Sequence, residues 1–68
     1  MAFYTWLMQQ KKRDDIVGDL ARDTERTSNA PRKDSTVKGW HSYLRNQNAC
    51  TEAHEALVEA FKEYKNGL

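Results

Sequence analysis

The sequence predicts an all-α fold: one domain, residues 1–68, built as a compact bundle of four short helices. Three observations carry this. Apolar residues recur at i, i+3 and i+4 in four separate stretches, whereas the polar–apolar alternation of a half-buried strand never lasts beyond a few positions. Residues that cap helices, and a single proline-bearing loop, punctuate those stretches and leave only short connections. Two Trp, three Tyr and two Phe within 68 residues suffice to close one small core and no second one.

The first helix is predicted over roughly 3 to 10, with Phe3, Trp6, Leu7 and Gln10 on one face and the basic run Lys11, Lys12, Arg13 opposing the negative C-terminal end. The second, roughly 15 to 27, starts from Asp14 or Asp15 as N-cap, because a short carboxylate accepts the orphan amides of the first turn. Its stripe is Ile16 and Leu20, with Val17, Ala21 and Thr24 beside them. Gly18 weakens that helix by about 1 kcal/mol relative to alanine, and marks a close backbone approach to a neighbouring ring.

The stretch Thr27 to Asp34, "TSNAPRKD", is the main loop. Asp34 or Ser35 caps a third helix, roughly 36 to 46, with Val37, Trp40, Tyr43 and Leu44 on one side and the run "NQN" at 46 to 48 closing it. Thr51 caps a fourth, roughly 52 to 66, ended by Gly67. Ala53, Ala56, Leu57, Ala60, Phe61 and Tyr64 make this the clearest stripe in the chain, and its length of about four turns makes it the spine.

In this order, "FYTWL" at 3 to 7, "DDIVGDLARD" at 14 to 23, a loop with Pro31, "YL" at 43 and 44 and "EALVEAFKEY" at 55 to 64 resemble the YozE-type small bacterial proteins with a sterile-alpha-motif-like (SAM-like) helical fold. The resemblance runs from Phe3 to Tyr64. It implies a single four-helix domain and transfers no catalytic residue. SAM-like folds in general serve protein association and sometimes nucleic-acid binding, an analogy from fold alone.

No catalytic residue, cofactor site or metal site is assigned from the residues either. So small a chain does not readily wall a deep cleft. Asp15, Asp19 and Asp23 lie four apart and form one helix row, but three carboxylates pointing outward fall short of the six or more oxygens a hard cation takes from converging segments. Arg22 and Arg26 follow Asp19 and Asp23 by three, which makes that row a solvated face with a cap. His41, Cys50 and His54 are the only soft-metal ligands, one short of the four of structural zinc. The Cys50–His54 pair read as an activated thiol lacks a third, orienting residue. Three isolated glycines provide no phosphate-binding fingerprint.

Charge is the remaining signal. The net value is +1, yet Arg26 to Asn48 carries Arg26, Arg32, Lys33, Lys38 and Arg45 against Asp34 alone. Thr51 to Leu68 carries Glu52, Glu55, Glu59 and Glu63 against Lys62 and Lys65. The function expected is a non-enzymatic helical interaction module that docks onto a protein partner, with Glu52, Glu55 and Glu59 as an acidic contact surface. Lys11, Lys12, Arg13, Arg32, Lys33, Lys38 and Arg45 are the basic contact surface. The alternative is a nucleic-acid-binding accessory protein that uses those basic residues against phosphates, with the amides at the start of the third helix assisting. The chain is expected to be a monomer or to self-associate weakly, the Arg32, Lys33, Lys38 end meeting the Glu52, Glu55, Glu59 end. A single cysteine excludes an internal disulfide and places the protein in a reducing cytoplasm. The basic run follows the short apolar stretch at 3 to 8, the wrong order for a signal peptide, and no membrane span is expected.

Overall fold

Buried apolar residues from four helices form one core. In the computed structural model, which describes residues 1–67, the chain runs α1 (Phe3–Met8), α2 (Ile16–Glu25), α3 (Val37–Asn46) and α4 (Thr51–Asn66), with no strand among the described residues. The body measures 29 × 25 × 19 Å. The 16-residue α4 packs against each of the other three helices and is the spine. Its inward residues are Ala56, Leu57, Ala60, Phe61 and Tyr64, as the stripe predicts. Phe3 stacks on Phe61 with ring centroids 3.8 Å apart, and meets Trp40 edge-on at 4.9 Å and Tyr64 at 5.3 Å. The alanines of α4 leave room for that aromatic cluster.

The three buried rings that carry a polar atom, Trp40, Tyr43 and Tyr64, each bond it, which avoids the cost of an orphan donor. The Trp40 indole N–H donates to the carbonyl of Asp34 (2.6 Å), and the Tyr64 hydroxyl donates to the carbonyl of Met1 (2.5 Å). The Tyr43 hydroxyl pairs with the Thr27 hydroxyl. These bonds fasten the loops to the core from three sides.

The local differences from the sequence expectation have physical causes. α1 ends at Met8, and Gln9 to Lys12 form turns instead of a last helical turn. The cations at 11 to 13 therefore lie beyond the helix, and two of them, Lys11 and Arg13, serve tertiary pairs. Asp15 is the N-cap of α2, its carboxylate accepting from the Gly18 amide at 3.0 Å. α2 presents Val17, Leu20, Ala21 and Thr24, the i, i+3, i+4, i+7 set, to the core. Ile16 is turned off that stripe and is 45% exposed, so it does not hold the bundle together.

Gly18 does mark a close approach, but to a carbonyl and not to a ring: a Cβ there would stand 2.0 Å from the Arg13 oxygen. Thr36, rather than Asp34 or Ser35, caps α3 by accepting from the Gly39 amide at 3.1 Å. Asp34 accepts in turn from the Thr36 amide and hydroxyl, and Ser35 accepts from the amide of Phe3 at 3.0 Å. Cys50 occupies the cap position of α4 without a side-chain bond, and Thr51 begins the helix. α3 closes where Asn48 takes a left-handed φ of 55°. The Asn48 amide donates to Arg45 and the Ala49 amide to Leu44, which satisfies the last carbonyls as in a Schellman ending.

Candidate docking surface

Helical geometry decides which large aliphatic side chains remain outside. Consecutive residues are about 100° apart around a helix, so with Val17 and Leu57 turned fully inward, Ile16 and Val58 are turned out. They are 45% and 41% exposed and, with Met1, are the exposed large hydrophobic residues among those described. Both belong to one surface. A hollow of about 250 Å³ between α2 and α4 has Ile16, Leu20, Ala53 and Ala56 among its lining. A second, of about 350 Å³, is bounded by Ile16, Glu55, Val58 and Glu59. Ile16 lines both, so the two hollows adjoin.

The rim is acidic. Asp19 and Asp23 from α2 and Glu52 from α4 wall the first hollow, and Glu55 and Glu59 wall the second. Against these five carboxylates the lining holds two guanidinium groups, those of Arg22 and Arg26. Arg22 pairs with Asp19 as its spacing predicts, but its other guanidinium nitrogen donates inward, to the carbonyls of Lys11 (2.6 Å) and Arg13 (3.0 Å). Arg26 and Asp23 approach to 3.5 Å at the surface, as do Lys62 and Glu59 at 3.7 Å. Exposed pairs of this kind contribute little to stability and leave the carboxylates open to a partner. Glu52 and Glu55 have no ion pair among the described residues. The acidic contact residues predicted from sequence thus share one face with Ile16, Val58, Asp19 and Asp23, which the sequence reading had assigned to the core, passed over, or taken as salt-bridge partners.

The basic residues are distributed differently. Lys11 pairs with Glu25. Arg13 grips Asp15 through two nitrogens (2.7 and 3.0 Å) and Glu63 through a fork of 2.7 and 3.0 Å, which ties the α1–α2 connection to the cap of α2 and to α4. This guanidinium holds the carboxyls of both Glu63 and Asp15 below their ordinary range. Arg32 lies over the ring of Tyr4 at 4.9 Å. Lys12, Lys33, Lys38 and Arg45 are exposed, with no ion pair among the described residues. Three of the seven predicted basic contacts are therefore engaged within the fold, Lys11 and Arg13 in ion pairs and Arg32 on the ring of Tyr4. At the start of α3, the side chains of Asp34 and Thr36 already occupy the Thr36 and Gly39 amides.

His54 faces His41 rather than Cys50. Their Nδ1 atoms are 2.8 Å apart, in rings 7° from parallel with centroids separated by 5.1 Å. The centroid separation exceeds the nitrogen separation by the radii of two five-membered rings, so the nitrogens meet head-on along one line. One proton fits between them, donated by one ring and accepted by the other. Lone pairs aimed at each other do not converge on a common metal, and among the described residues no three His, Cys, Asp or Glu side chains gather as a metal site. Burial first, then the charges of His54 and Arg45, push the His41 pKa down from 6.5. Cys50 is a free, exposed thiol. Among the described residues no helix is long and apolar enough to cross a membrane.

The family model described as YozE SAM-like fold matches residues 2–66. No curated protein and no solved structure matches the chain.

Proposed function

This chain belongs to the YozE SAM-like fold family, and from that premise we propose that it is a small non-enzymatic docking module of the cytoplasm, which binds a protein partner through the α2–α4 face. One observation carries the reading. The two exposed branched aliphatic residues of the helices, Ile16 and Val58, stand in one pair of adjoining hollows. An apolar centre with a polar, charged rim is the anatomy of a protein interface. Covering that centre removes apolar area from water, and the surrounding carboxylates select the partner by charge.

The alternative function, nucleic-acid binding, relies on Lys12, Arg32, Lys33, Lys38 and Arg45, now that Lys11 and Arg13 are paired internally. Affinity capture from the native cell with the full chain as bait separates the two. The docking reading predicts a protein retained after nuclease treatment and lost when Ile16→Gln and Val58→Gln are combined, with the melting temperature of the bait unchanged. Capture abolished by nuclease, or indifferent to the double substitution, contradicts it.

A further inference from the structure

The two helices place acidic residues on both sides of the apolar floor, and this defines the partner more closely. On α4, Glu52, Glu55 and Glu59 follow one another at i, i+3 and i+7, a row along the helix spanning about 10 Å at 1.5 Å per residue. On α2, Asp19 and Asp23 stand at i and i+4. Ile16, Leu20 and Ala53 line the first hollow with Asp19, Asp23 and Glu52, and Ile16 and Val58 line the second with Glu55 and Glu59. Arg22 and Arg26 balance Asp19 and Asp23 on α2, so the net negative charge is that of the α4 row, and the complement is an apolar stripe flanked by cations on the α4 side. That pattern is a cationic amphipathic helix, laid in the groove with its aliphatic residues in the two hollows. Phosphate backbones and anionic lipid surfaces carry the sign of the rim and are repelled from this face.

We infer that the α2–α4 groove takes a cationic amphipathic helical segment of a partner protein. The inference rests on the docking function proposed above and specifies its ligand. Lys or Arg residues of the segment meet Glu52, Glu55 and Glu59, while its Leu, Ile or aromatic residues cover Ile16 and Val58. Because the rim charges are exposed, salt weakens the complex without abolishing its apolar part.

The test is a titration of the 15N-labelled full chain, followed by amide chemical shifts. The probes are a blocked peptide of Leu and Lys at helical spacing, a scrambled peptide of the same composition, and a Leu–Glu counterpart. The Leu–Lys peptide should shift the amides of Ile16, Asp19, Glu55, Val58 and Glu59, with Kd rising roughly tenfold between low and high salt. Combining Ile16→Gln with Val58→Gln should weaken binding about tenfold, and combining Glu55→Gln with Glu59→Gln should flatten the salt dependence. Equal binding of the scrambled or Leu–Glu peptide at this face overturns the inference, as do shifts confined to other faces. Shifts at this face that depend on protein concentration without peptide overturn it in favour of a second copy of the chain. If no peptide perturbs the face while capture of a native partner still requires Ile16 and Val58, the cationic-helix inference falls and the docking function stands. If that capture is also indifferent to Ile16 and Val58, both fall.

Discussion

Replacing Gly18 with alanine sets helix propensity against tertiary packing. In a free helix interior the change stabilises by about 1 kcal/mol. Here a methyl at position 18 would lie 2.0 Å from the Arg13 carbonyl oxygen and 2.8 Å from its carbon. The obstacle is backbone, so relief requires the turn at 9 to 13 to retreat from α2. That turn is not free to move: the same carbonyl accepts from Arg22 at 3.0 Å, and the Arg13 side chain grips both Asp15 and Glu63. Overpacking costs about 1–3 kcal/mol, and a lost hydrogen bond from a charged donor about 1.5–3 kcal/mol. Subtracting the propensity gain leaves a net destabilisation of about 3 kcal/mol. Against the few kcal/mol available to so small a domain this is most of its stability. Urea unfolding followed by far-ultraviolet circular dichroism should show the midpoint of Gly18→Ala falling steeply. Gly39→Ala is the control. Its methyl would meet the Asp34 carboxylate at 1.8 Å, the end of a side chain that can swing away at the expense of its bonds to Thr36. The propensity gain offsets much of that, and the net loss should stay under about 1 kcal/mol. A Gly18→Ala variant as stable as the wild type would refute the packing of the 9–13 turn on α2.

Other expectations follow from the same contacts. His41 and His54 are the only histidines, so no other side chain has an ordinary pKa between pH 5 and 8. Because His41 is pushed below 6.5 in the fold, the unfolded chain takes up its proton first. Stability is then complete above pH 6.5 and declines as the pH falls below it, and denaturant midpoints at pH 7.5, 6.0 and 5.0 should decline in the wild type and less in His41→Asn. Asn48→Gly, which relieves the left-handed φ of 55°, should raise stability by about 0.5 kcal/mol in the same urea assay. Phe61→Ala removes the ring stacked on Phe3 at 3.8 Å and should cost about 3–5 kcal/mol, seen as lost cooperative melting at room temperature.

Periodicity made the core of this chain legible. The inward faces of α3 and α4 are those predicted from spacing, because apolar side chains at i, i+3 and i+4 have one way to be buried together. A cap at Asp14 or Asp15 was legible from local chemistry, and Asp15 fills it. Apart from local cap and boundary shifts at Met8, Thr36 and Cys50, the failures involve contacts between separate segments. Ile16 and Val17 are both apolar and adjacent, and only packing against α4 decides which of them faces in. Arg13 reads as one of three surface cations, yet its partner Glu63 lies 50 positions away. The His41–His54 pair joins two helices at a separation of 13 residues, outside any single-helix pattern. The acidic row on α4 was legible as charge. Its meaning as one rim of a groove required α2 to supply Ile16, Asp19 and Asp23 opposite it.

The central claim is that the chain binds its protein partner on the α2–α4 face. Hydrogen–deuterium exchange of the full chain, alone and in complex with the partner captured from its cell, tests this most directly. Docking on this face predicts slowed exchange on binding in residues 16–23 and 52–59, with the segment 32–45 unchanged. Slowed exchange confined to 32–45, where Arg32, Lys33, Lys38 and Arg45 lie, would contradict it.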